Sequence, residues 1–245
     1  CRYNVLEPPR NYNKLIGVPY TLMQLTPGHN VAVLELGMNQ PGELRRLSEI
    51  AGPSAALLTC IDRAHIGMFE SMRELAAAKL DLFRGCAEGT PLVVNAGDGR
   101  TIKGLDEFRE RHPIVSFRVG RPAHGALSGD VRIARTQPIQ PVGYRFELQV
   151  RGESIGPLEL RLFGRHHLEN VAAAAALLVA AGYDPGLLAE ALPHFRTEIL
   201  RGQVVEADGV TWILDCYNAS PAGMQGALES LGDVPTDGRR VLVLA

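Results

Sequence analysis

Between residues 31 and 117 the chain sets four short apolar runs, at 31-36, 55-59, 91-94 and 114-117, between stretches whose apolar residues recur at helical spacing. That alternation is the mark of an α/β fold with a mostly parallel sheet flanked by helices. The segment "PGELRRLSEIAG" predicts a helix with Pro41 in its first turn and Gly52 at its end. A longer helix is expected over 71-87, and another over 101-112. From about 119 to 163 the chain is punctuated by Gly and Pro, and "DVRIART", "YRFELQV" and "LELRLF" read as strands of an antiparallel flank. After "GRHHLEN" an alanine-rich helix is expected over 168-181, then a second from Asp184 and Pro185 to near Pro193.

The tail from 199 returns to strand-forming text, "GQVVEA" and "TWILDCY", followed by a helix over 221-231 and the apolar run "RVLVLA". That last run reads as a buried central strand, which needs neighbours and a covering helix, so the chain is expected to be incomplete. The expected organisation is one domain over 1-198 and the beginning of a second α/β domain over 199-245.

Charge is near balance, with 25 basic against 27 acidic residues, and no basic block is present to follow a phosphate backbone. Nucleic-acid binding is therefore not expected. No apolar stretch approaches the ~20 residues that span a bilayer, and the start lacks a signal-peptide pattern, so neither membrane contact nor export is expected. Cys1, Cys60, Cys86 and Cys216 are scattered without CxxC spacing, which fits reduced thiols in a soluble cytoplasmic protein.

In open α/β sheets ligands bind beyond the carboxyl ends of the strands, and three groups of polar residues fall there. Glu35 closes the first run just before Gly37, Asp62 and His65 follow "AALLT", and Asn95 and Asp98 follow "PLVV". A carboxylate in a dry sheet needs a cation, a donor or solvent, so Glu35 is either a metal ligand or a cap or surface partner. His65 taken alone reads first as a hydrogen-bonded structural histidine, and Asn95 and Asp98 read by default as turn residues. Lys79 is more unusual. Ser71 and Glu74 form a capping box, and Met72, Leu75, Leu82 and Phe83 then form an apolar stripe on which Lys79 lies. Its amine either snorkels to water or is partly desolvated and reactive. The chain contains no GxxxxGK[ST], GxGxxG with a following acid, GxSxG or HExxH.

Six stretches in order, "NYNKLIGVPYTLMQL", "VLELGMNQPGEL", "AHIGMFESMRELAAAKLDLF", "VVNAGDG", "GRHHLENVAAAAAL" and "ILDCYNASPAGM", together resemble the Mur ligases, ATP-dependent amino-acid-adding enzymes of peptidoglycan synthesis. Within that family the likeness is to the MurF type, which adds D-alanyl-D-alanine. The resemblance implies the family's P-loop-NTPase-like central domain, here without its P-loop. It also implies an enzyme using ATP and Mg2+ to phosphorylate the peptide carboxylate of UDP-MurNAc-tripeptide, the acyl phosphate then being attacked by the amine of D-alanyl-D-alanine. Carried over by position, Glu35, His65 and Lys79 fall at the magnesium sites, with Lys79 matching a lysine often carbamylated. His65, Lys79 and Arg201 take catalytic roles, Arg201 reaching the phosphates. Asn95, Asp98, His166, Asn170, Asp215 and Asn218 border the nucleotide, and Asn11, Asn13, Tyr217 and Ser220 lie near substrate.

Lys14, Cys60 and His167 stand where the family commonly has Asn. The resemblance also places a P-loop helix and a UDP-sugar domain before residue 1 and the rest of a nucleotide-fold domain after residue 245. The isolated chain, a monomer by family likeness, is thus expected to bind ATP poorly and not to turn over. Another Mur ligase, a folylpolyglutamate synthase-type ligase, or a degenerate non-catalytic binding module are the alternative expectations.

Overall fold

The computed structural model describes residues 3-62, 66-121 and 129-244. Two compact units divide the chain, Cys1–Ile114 and Val115–Ala245. The expected boundary near 198 falls within the second of these.

In the first unit, β1 (Val5–Leu6) pairs in parallel with β2 (Val31–Ala32) on either side of the short helix α1 (Gly17–Leu22). Helix α2 (Glu43–Ala51) begins after Gly42 and ends at Gly52, both in the left-handed region. Its Leu44 and Leu47 are buried one turn apart. Strand β3 (Ala56–Leu58) leads to a single 3-10 turn at Ile66–Met68 and then to helix α3 (Met72–Arg84). The capping box forms in part: the Glu74 amide donates to the Ser71 hydroxyl at 3.2 Å, while the Glu74 carboxylate accepts from the Glu70 amide at 2.7 Å. Strand β4 (Leu92–Asn95), buried throughout as a central strand requires, pairs in parallel with β3 and is followed by the short helix α4 (Gly99–Lys103).

Helix α3 packs against α2 and β3 through Leu75, Ala78, Leu82 and Phe83. Where α3 ends, Gly85 lies so close to α2 that a Cβ there would stand 2.4 Å from the Arg45 carbonyl oxygen, so glycine alone fits the approach. Phe83 is fully buried and meets Phe108 edge to face, with centroids 5.6 Å apart. Beside this pair the Arg84 guanidinium donates to both oxygens of Glu107 at 2.7 and 2.9 Å and to Asp81 at 2.7 Å. Arg84 is held protonated chiefly by Glu107, and the same bond lowers the pKa of Glu107.

In the second unit, β5 (Ile114–Val119) runs parallel to β6 (Val131–Pro138), which pairs antiparallel with β7 (Tyr144–Val150), and β7 with β8 (Glu153–Leu160). Tyr144, Phe146 and Leu148 point inward from β7, and Arg145 and Glu147 outward, the period-2 pattern of a half-buried strand. Helix α5 (His166–Ala180) packs on β6 through Leu168 and small buried alanines, with Ala172, Ala173, Ala175 and Ala176 allowing close approach. After α6 (Leu187–Ala191), β9 (Gln203–Ala207) and β10 (Val210–Leu214) form a hairpin. Its two-residue loop, Asp208 and Gly209, has positive φ at both positions, as the twist of a tight hairpin demands. Helix α7 (Pro221–Asp233) starts at Ser220, whose hydroxyl accepts from the Gly223 amide at 3.0 Å.

Several expectations need correction. Only Val31–Ala32 of the 31-36 run is strand, and Val33 is exposed, because β1, the sole pairing partner among the described residues, offers two residues. Pro41 precedes the helix cap instead of occupying the first turn, since Gly42 is the cap. The 101-112 helix stops at Gly104 and continues as turns. The third strand of the flank starts at Glu153, five residues before "LELRLF", paired along its length by β7. Finally, "RVLVLA" is not a buried strand over its described residues: Val241 and Val243 are exposed and nothing pairs with them there. The described thiols, Cys60, Cys86 and Cys216, are free, and among the described residues no helix is long and apolar enough to cross a membrane.

Replacing Phe83 by Ala should remove the centre of the first unit's core. The expected loss is about 3 to 5 kcal/mol, read as a fall in the denaturant midpoint of unfolding.

Candidate functional site

The expected site residues are divided between the two units. In the first, Glu35 lies just beyond β2 with its side chain exposed, so no dry carboxylate exists to be compensated. Its Oε1 accepts from the Asn13 carboxamide at 3.0 Å. The Asn13 carbonyl in turn accepts from the Gly37 amide at 2.7 Å, and Lys14 donates to the Asn39 side chain at 2.5 Å. The two expected loops, around 11-14 and 35-39, are thus stitched together by side chain and backbone. Asn11 contributes its carbonyl to the Asn13 amide at 2.9 Å.

Lys79 is half-buried on α3 and its Nζ donates to the Cys60 carbonyl at 3.3 Å. The amine therefore turns towards the loop that follows β3 instead of running out into solvent. Around the Cys60 thiol lie Lys79, Asp98 and Asp62; burial pushes the thiol pKa up, and the lysine acts against it. His65 lies outside the described residues.

Asp98 links two strand-end loops. One carboxylate oxygen accepts from the Ile61 amide at 2.7 Å and the Thr101 hydroxyl at 2.6 Å, and the other accepts from the Arg100 amide at 3.1 Å, capping α4. Arg100 donates back to the Ile61 carbonyl at 3.3 Å. Asn95, buried at the end of β4, accepts from the Gly97 amide at 2.8 Å and shapes the turn. The turn reading of these residues is satisfied in full, and the Asp98 carboxylate is engaged with its own loop. Among the described residues no group of three or more His, Cys, Asp or Glu is arranged to hold a metal ion.

In the second unit, His166 and His167 open α5 with their rings 4.2 Å apart. Burial lowers the pKa of His166, against the pull of Asp215 and Glu169. His167 is pushed down to about 4 by burial and by His166. Asn170 is exposed on the next turn. Arg201 lies over the ring of Tyr217, its guanidinium carbon 4.2 Å from the centroid. Asn218 accepts from the Ala219 amide at 2.9 Å, and Ser220 is occupied as the cap of α7.

Sequence reasoning passed over the contacts that seat α7. The Tyr144 hydroxyl donates to Asp233 at 3.1 Å, the Arg165 amide donates to the buried Ser230 hydroxyl at 3.0 Å, and the Arg165 guanidinium stands 3.8 Å from Asp233. Burial, with Asp233 beside it, pushes the Tyr144 phenol up to about 12. No local pattern signals a contact between residues 89 positions apart.

Comparison with known proteins identifies the Mur ligase middle domain over residues 2–178. The chain is 32% identical over 242 residues to the UDP-N-acetylmuramoyl-tripeptide--D-alanyl-D-alanine ligase of Escherichia coli, a match covering 98% of this chain and 51% of that protein. It spans about half the length of the curated relatives it matches. A crystal structure of MurF from Acinetobacter baumannii superposes with a TM-score of 0.84 at 27% identity, over 94% of this chain and 49% of that one. The MurF ligase of Thermotoga maritima, solved in complex with ADP, shares the fold with a TM-score of 0.81 at 22% identity, over 96% of this chain and 52% of that one.

The depressed His167 pKa gives a signed expectation. As pH falls from about 6.5 to 4, the unfolded chain takes up a proton that the folded chain refuses, so stability present above 6.5 is lost on the way down. The wild type should lose roughly 1 to 3 kcal/mol more across that window than His167→Asn, measured as paired urea midpoints at pH 7 and pH 4.

Proposed function

Because the chain belongs to the Mur ligase family through its middle domain, we propose that it is part of an ATP-dependent ligase that adds D-alanyl-D-alanine to UDP-MurNAc-tripeptide in peptidoglycan synthesis. The observation that carries this reading is the likeness to D-alanyl-D-alanine ligases along almost the whole chain, which includes every stretch bearing a site residue. In this reading the peptide carboxylate is first phosphorylated, and the amine of D-alanyl-D-alanine then displaces phosphate to form the amide.

Bringing a carboxylate to a triphosphate sets two anions together, so the site must supply positive charge. Arg201 is proposed to supply such charge, and Glu35, His65 and Lys79 are proposed to organise magnesium. The donor chemistry at Glu35 suits a hard cation, because its exposed carboxylate has one oxygen bonded to Asn13 and the other without a hydrogen bond among the described residues. Magnesium is commonly held by one or two carboxylates with waters and phosphates completing the shell, so no protein cage of many ligands is required. Bound there, it would offset charge on the phosphates and on the carboxyl group that meets them. Asn13 holds the Glu35 carboxylate in one orientation, and Lys79 is fixed at the Cys60 carbonyl. Asn95, Asp98, His166, Asn170, Asp215 and Asn218 are proposed to border the nucleotide, Asn95 and Asp98 by shaping the loop after β4.

In the protein that carries this chain, phosphate release from ATP should require both UDP-MurNAc-tripeptide and D-alanyl-D-alanine. Release indifferent to the dipeptide would overturn the substrate assignment. Asn13→Ala, which frees the Glu35 carboxylate to turn, should raise the magnesium concentration needed for half-maximal rate by roughly 10- to 100-fold. An unchanged magnesium requirement would remove Glu35 from the metal.

A further inference from the structure

The backbone around Arg201 is bent in an unusual way. Leu200, with φ of 64°, and Gly202, with φ of 66°, both lie in the left-handed region, so Arg201 projects from between two such residues. Leucine pays sterically for that conformation, and it persists only where the surroundings hold it. They do: the Leu200 carbonyl accepts from two successive amides, Cys216 at 3.0 Å and Tyr217 at 3.1 Å, and the Arg201 amide donates to the Glu198 carbonyl at 3.2 Å. The bend at 200-202 and the segment 215-217 are therefore one rigid unit. Across that unit the Arg201 guanidinium carbon lies over the Tyr217 ring, 4.2 Å from its centroid.

Among the described residues no ion pair engages Arg201, and Asp215, two positions from Tyr217, is exposed. A guanidinium with no carboxylate partner keeps its donors for an incoming anion. Stacking on an aromatic face leaves the edge of the planar fork free, because the ring contacts the flat side and the N–H groups point outward in the plane. A ring in that position holds the guanidinium without using its hydrogen bonds.

We propose that Tyr217 is a positioning residue acting through Arg201, its ring holding the guanidinium edge-out for bidentate contact with phosphate oxygens. The inference rests on the reading of Arg201 as the phosphate-facing cation, and it changes the role of Tyr217 from contact with substrate to support of the arginine. The tyrosine hydroxyl has no part in it; the ring face is what matters.

The test combines side-chain NMR with calorimetric titration by ADP and by adenosine, both with magnesium, in the arginine-labelled protein that carries this chain. The Arg201 Nε–H resonance should be displaced upfield by the ring, return to the free-arginine position in Tyr217→Leu, and be restored in Tyr217→Phe. Binding of ADP should weaken roughly two- to fivefold in Tyr217→Leu and recover in Tyr217→Phe, with adenosine unaffected throughout. In an Arg201→Ala background Tyr217→Leu should cost nothing more. An undisplaced Arg201 resonance in the wild type overturns the proposal, as does a Tyr217→Leu loss that persists without Arg201, which would put the ring on the nucleotide itself. A displaced resonance with ADP affinity unchanged in Arg201→Ala would uphold the orienting stack and overturn the assignment of Arg201 to phosphate. Tyr217 is 52% exposed, so these substitutions remove no core contact.

Discussion

The carboxylate of Asp98 is the constraint on which the first unit's site geometry depends. It takes the Ile61 amide from the loop beyond β3 and the Arg100 amide and Thr101 hydroxyl from the turn beyond β4, so one charge ties two adjacent strand ends together. Parallel strands leave their carboxyl ends on the same edge, but the loops that follow are free to diverge unless something joins them. An ionised acceptor with three donors is a strong joint in a partly buried setting. The loop so fixed includes the Cys60 carbonyl, and that carbonyl receives the Lys79 amine from α3. The position of Lys79 is thus set from both ends, by the buried stripe of its own helix and by the loop that Asp98 anchors.

The second unit solves a similar problem with backbone strain in place of a partly buried charge. Leu200 keeps an unfavourable conformation because its carbonyl is bonded twice, and the return is a fixed direction for Arg201. Further along, α7 is seated by polar contacts: Met224 and Leu228 stay largely exposed, while Ser230, Asp233, Tyr144 and Arg165 supply the attachment. A helix held mainly by hydrogen bonds gains less from burial than α3 does, since each such bond contributes only about 1 kcal/mol net.

What was legible in the sequence follows from the range of the forces involved. Helix α3 could be placed from its capping box and stripe because both act within a few residues, and the Asp208 and Gly209 loop obeys an equally local rule. The apolar runs at 31-36 and 240-245 were misread for one reason: an apolar run is a strand only if another strand pairs with it, and pairing is not written in the run. Glu35 raised a problem of burial that the exposed loop never poses, although its neighbour Asn13 was already among the expected site residues. The contacts of Arg165, Ser230 and Asp233 were invisible because their partners lie far away in sequence, and Ser230 and Asp233 belong to no motif.

By the sequence resemblance His167 is expected to stand where the family has an amide, and the physical chemistry of that exchange is milder than it looks. A carboxamide offers donors and an acceptor without net charge; neutral imidazole offers one of each. The exchange would matter if the ring carried a proton at neutral pH, since a cation at the start of α5 would meet the positive end of the helix and its neighbour His166. Burial prevents this by holding the pKa near 4, so at neutral pH the ring behaves as a bulkier amide. The departure from the family pattern therefore alters size and acid response while leaving the polarity of the helix start unchanged, and it gives no physical ground for reading this part of the chain as degenerate.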